Sequence, residues 1–106
     1  MDLDFYGKFK DTIEKMDEIG QLYAEAKGQS WQLQELKGSI LAKIIRESGI
    51  EIQSKAETMA KASDEYRNYI IGTAEAIKKE LRLKSQYERE KARFEAYRSL
   101  SSLEKK

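Results

Sequence analysis

Not one of the 106 residues is proline, and apolar side chains return at steps of three and four along almost the whole chain. Proline breaks helix interiors because it lacks an N–H donor and clashes with the preceding turn. Its absence, with a wealth of Ala, Glu, Lys, Leu and Arg, favours long helices. The first stretch runs from about residue 3 to 47. It passes through Phe5, Tyr6, Phe9, Ile13, Met16, Ile19, Tyr23 and Ala26, then Ser30, Leu33, Leu36, Ile40 and Ile44. So narrow a stripe is the seam of a coiled coil, not the broad face of a globular helix. Arg46 and then Ser48-Gly49 form a stop signal, glycine being free to take the left-handed cap.

Ser54-Lys55-Ala56-Glu57 has the capping-box pattern and opens a short helical connector over about 53–62. A second start signal at Ser63-Asp64-Glu65 places a break near 62–64, with a continuous helix from 53 onward as the alternative. The last helix spans about 64–103, its stripe being Tyr66, Ile70, Thr73 or Ala74, Ile77, Leu81, Tyr87, Phe94 and Tyr97. Between Leu81 and Tyr87 that stripe passes through Lys84 and is thin.

The predicted fold is therefore all-α: a single domain over 1–106, folded as a long antiparallel, coiled-coil-like hairpin with a short third helix in its connection. Charge agrees with this pairing. Residues 1–27 hold four basic and seven acidic side chains, a balance of −3, and residues 72–106 hold ten and six, a balance of +4. Exposed pairs are worth only ~0.3–0.5 kcal/mol each, so they help to choose a register and do not hold the fold. One seam is a small core for a chain of this size. Self-association of two hairpins into a two-fold, four-helix dimer is the expected remedy, and a connector folded back over the hairpin is the competing one.

Function classes narrow by what is missing. The chain has no cysteine and no histidine, so it lacks thiolate metal sites, disulfides and the commonest general base. No phosphate-cradling glycine loop or metal-ligand spacing occurs, and the paired carboxylates Asp17-Glu18 and Asp64-Glu65 belong to solvated faces or caps. No catalytic residue, cofactor or metal is expected, and the chain is read as a non-enzyme. Met1-Asp2-Leu3-Asp4 has neither the basic nor the apolar region of a secretory signal. Apolar runs such as Ile40-Leu41-Ala42 are far too short to cross a bilayer. The expected location is the cytosol, without membrane contact.

Two groups of residues remain as binding candidates. Gly20, Gly28 and Gly38 each weaken a helix interior by ~1 kcal/mol relative to alanine. Close approach of a partner or of a second copy would explain them, and local bending is the plain alternative. Trp31 joins this group and is read as buried, in the core or in a dimer seam, with an exposed anchor as the alternative. The second group is a candidate nucleic-acid face of Lys84, Arg89, Lys91, Arg93 and Arg98, interleaved with Tyr87, Phe94 and Tyr97. Glu80, Glu88, Glu90 and Glu95 stand among them at spacings that make ordinary intrahelical pairs, and the aromatics have seam spacing.

The runs Glu80-Leu81-Arg82-Leu83-Lys84 and Ala92-Arg93-Phe94-Glu95-Ala96-Tyr97-Arg98-Ser99-Leu100 are joined by Leu22-Tyr23-Ala24-Glu25-Ala26 and Ala62-Ser63-Asp64-Glu65-Tyr66. With these the chain resembles, over nearly its whole length, a group of small phage-encoded helical proteins often encoded near phage recombination genes. The resemblance implies an accessory role in the host-cell cytosol, in DNA recombination or replication or against host defence, through contact with a phage or host protein. It transfers no site residues. Direct binding of single-stranded nucleic acid and inhibition of a host nuclease or defence complex are the alternatives.

Overall fold

The structure is a computed structural model and describes residues 3–104. It is all-helical: α1 Leu3–Glu35, α2 Lys37–Ser48, α3 Gln53–Lys61 and α4 Asp64–Glu104, with no strand among the described residues. The chain divides into two compact units. The first joins the residues up to Ala26 with those from Lys79 onward, and the second is Lys27–Lys78.

In the first unit, α1 and α4 meet along one seam. Aromatic rings mark its direction: Phe5 meets Tyr97 with ring centres 5.4 Å apart, Phe9 meets Phe94 at 5.7 Å, and Tyr23 meets Tyr87 at 6.2 Å. Numbers rise on one helix as they fall on the other, so the two stretches run antiparallel. The seam runs through Phe5, Phe9, Thr12, Met16, Ile19, Tyr23 and Ala26 on α1, facing Glu80, Leu83, Tyr87, Glu90, Phe94, Tyr97 and Ser101 on α4, all buried or half-buried, with Gly20, Gln86 and Glu95 half-buried at its flanks. Both sets alternate steps of four and three without a fault, the seven-residue repeat of a coiled coil.

That seam differs from the predicted one. Ile13 is 43% exposed, Tyr6 55% and Leu81 54%, while Thr12 is only 6% exposed and Leu83 half-buried. The polar seam residue Thr12 is tolerated because its hydroxyl donates to the Lys8 carbonyl at 2.9 Å, which satisfies the donor inside its own helix. Lys84 is exposed and lies off the seam.

The second unit holds the rest of α1, then α2 and α3, then the start of α4. Its fully buried side chains are small: Ser30 and Ala56 at 0% exposure and Ala60 at 2%, with Ile44 at 8% as the largest. Small residues let helix backbones approach closely, and α2 packs on α3 here. Helix ends follow local chemistry. Gly49 takes φ 68°, ψ 9°, the left-handed cap predicted at Ser48-Gly49. The Ser63 hydroxyl donates to the Ala60 carbonyl at 2.6 Å and accepts the Tyr66 N–H at 3.2 Å, closing α3 and capping α4.

One boundary and one cap differ from expectation. The stretch predicted as one helix to 47 is interrupted at Leu36, a turn residue whose φ of −80° and ψ of −6° lie at the edge of the right-handed helical region. Hydrogen bonds from Leu36 N to Gln32 O, 3.0 Å, and from Ile40 N to Leu36 O, 2.9 Å, span the break. The result is a local distortion, not a loop. The capping box at Ser54 does not form. α3 starts at Gln53, as expected, but behind Ile52 and without a side-chain cap. Glu57 instead accepts from the Gln53 side chain at 3.0 Å, and the Ser54 carbonyl accepts from Thr58.

Candidate functional site

Trp31 is the plainest departure from the predicted interior: it stands 62% exposed on α1 in the second unit. It occupies the step after buried Ser30, so the repeat that buries Ser30 turns the indole outward. Close by in sequence, Leu33 and Gln34 line a groove of about 390 Å³ whose other wall is Tyr69, Ile70 and Ile77 of α4. Ile70 is 39% exposed, and Leu36, just beyond the end of α1, 48%. The Tyr69 hydroxyl on this wall is buried and finds no hydrogen-bond partner among the described residues. Such a group is costly to leave unpaired and gains from any donor or acceptor brought to it.

The first unit has two faces of different chemistry. On one side of the seam a groove of about 750 Å³ runs past Ile13, Asp17, Gly20 and Ala24, with Tyr87 opposite. A Cβ on Gly20 would lie 3.2 Å from the Tyr87 ring, so the close approach expected of this glycine is made within the chain, by an aromatic edge. Gly28 and Gly38 have nothing within 4 Å of such a Cβ. They face open space, and no contact among the described residues explains them.

The other side of the first unit is charged. Glu90 sits in the seam at 7% exposure, its Oε1 accepting from Arg93 at 3.1 Å while Oε2 has no hydrogen-bond partner among the described residues. Lys15 and Arg89 share the groove beside it. Sequence spacing casts Glu90 as an ordinary surface pair; the signal that betrays it is its place in the repeat, four residues before Phe94.

The five residues of the candidate nucleic-acid face do not share one side of α4. Lys84, Lys91 and Arg98 follow at intervals of seven on one flank, whereas Arg89 and Arg93 flank Glu90 on the other. Glu88 and Glu95 alternate with the first row, and Arg98 is held by Glu95 at 2.7 Å. Arg93 is already engaged by Glu90. Among the described residues no cluster of acidic side chains could hold a metal ion, and no helix is long and apolar enough to cross a membrane.

No protein-family model matches this chain, and comparison with curated proteins and with solved structures finds no match either.

Proposed function

We propose that this chain is a non-enzymatic helical module that works by holding a protein partner, and that the second unit presents the contact surface. The observation behind this reading is Trp31, a large side chain left mostly in solvent on the helix whose Leu33 and Gln34 line an apolar groove against α4. Indole rings dominate interfaces because they bury much area at little entropic cost, and a groove between helices takes the apolar face of another helix. The occupant assigned here is an amphipathic helix of the partner, its apolar side on Leu33, Ile70 and Ile77 and its flank on Trp31, one turn from Gln34 of the groove. The resemblance to phage-encoded helical proteins directs the search for that partner to DNA recombination and replication, such as a single-strand annealing protein, or to a host nuclease or defence complex. Folding as a hairpin that dimerises into a four-helix bundle in the host cytoplasm belongs to the same reading.

Trp31 is the chain's one tryptophan and reports on its own surroundings. Titration with a purified candidate partner is expected to shift its emission to shorter wavelength. Trp31→Ala is expected to weaken binding at least ~100-fold, as interface anchors do, with helical dichroism unchanged. Full affinity in that variant would discard this surface.

The nucleic-acid reading draws support from the Lys84, Lys91 and Arg98 row, but alternating carboxylates offset its charge. It predicts affinity for a single-stranded oligonucleotide that falls steeply with salt and is lost on replacing Lys84 and Lys91. The protein-contact reading predicts little binding at physiological salt.

A further inference from the structure

Beside the seam of α1 runs a second row, Leu3, Tyr6, Lys10, Ile13, Asp17, Gly20 and Ala24, with the same alternation of steps of three and four. All of it lies in the first unit, and only Gly20 is as much as half-buried. A helix carries two such rows when it packs against two neighbours, and among the described residues the first unit supplies only one of them. The row is also concave at one end, where Gly20 and Ala24 open the groove backed by Tyr87. At its other end Tyr6 stands out from the surface, braced edge-on by Phe5 at 5.6 Å.

We propose that this row seats the same row of a second copy of the chain, antiparallel about a two-fold axis at Ile13, with Tyr6 of each copy in the Gly20 groove of the other. The assignment rests on self-complementarity. With Ile13 opposite Ile13, antiparallel numbering sets Tyr6 opposite Gly20, and brings Lys10 within one residue of Asp17 and Leu3 within one of Ala24. Cation meets anion and ring meets groove, each twice. A parallel register would instead set Lys10 on Lys10 and Asp17 on Asp17. Both charges are available: among the described residues Lys10 makes no ion pair, and Asp17 holds only the Gln21 amide, at 3.2 Å. The interface rests on the reading of the chain as a self-associating binding module, and it uses a different unit from the Trp31 surface.

Light scattering on the full chain, with dissociation constants from sedimentation, tests this. The unaltered chain is expected to be a dimer. Lys10→Asp and Asp17→Lys should each raise the dissociation constant about tenfold by setting like charges together, and the two combined should restore it. Because the chain has no cysteine, Ile13→Cys should oxidise to a covalent dimer, whereas Glu18→Cys, on the other side of α1, should not. A monomeric chain would overturn both this interface and self-association. A dimer indifferent to the single charge changes, or one not rescued by the pair, would overturn this interface and leave self-association through another face.

Discussion

Glu90 shows how much a single side chain can decide in a seam this narrow. It is buried with one oxygen bound by Arg93 and the other unsatisfied. Taking a carboxylate out of water costs more than one such contact returns. Its partner loses little by release, since the Arg93 side chain is 57% exposed and stays hydrated. Glu90→Met is therefore expected to stabilise the chain by about 1–2 kcal/mol in urea unfolding followed by dichroism, because no buried charge is orphaned. A loss of stability would mean that Lys15 and Arg93 hold the carboxylate more tightly than its burial penalises it. Thr12 makes the opposite case: its hydroxyl is satisfied by its own helix, so it sits in the seam at little cost.

At the scale of the element, the glycines separate by geometry. Gly28 lies inside α1 with open space around it, so Gly28→Ala should gain up to ~1 kcal/mol from helix propensity alone. Gly49 holds φ 68°, where a Cβ is strained, and Gly49→Ala should cost about 1 kcal/mol. Chemical denaturation of the two variants side by side checks both signs. Element type, the stop at Ser48-Gly49 and the start at Ser63 were legible in the sequence because each depends on chemistry within a few residues. The seam was legible where aromatics mark it, at Phe5, Phe9, Tyr87, Phe94 and Tyr97. It was misplaced in between, where Ile13 outshines Thr12, and Leu81 outshines Glu80 and Leu83. Apolar residues of a second row compete there with polar ones of the first, and only counting sevens outward from the aromatics separates the two. Trp31 was misplaced for the same reason.

For the whole molecule, the telling feature is how little each unit encloses: in the first, the second row of α1 stays exposed from Leu3 to Asp17, and in the second the most deeply buried side chains are small. A folded state completed by association is stabilised by mass action, so its melting temperature should climb as the protein is concentrated. Dichroism melts over a hundredfold range of concentration check this, and a constant midpoint would mean the monomer stands alone. The candidate site is far less legible than the fold at this scale, because a row that meets a partner and a row that meets the chain's own helix obey the same spacing.

The interior of small side chains has a consequence for descent. Ala26, Ser30, Ala56 and Ala60 are almost wholly enclosed, while few large residues are. Enlarging any of the four would force helices apart, yet most other positions can trade one helix-forming residue for another with little penalty. Selection on the fold thus bears on a handful of places where bulk is forbidden and leaves long tracts of the helices free to change. Kinship in such a lineage would be written less in which residues persist than in where nothing large ever appears.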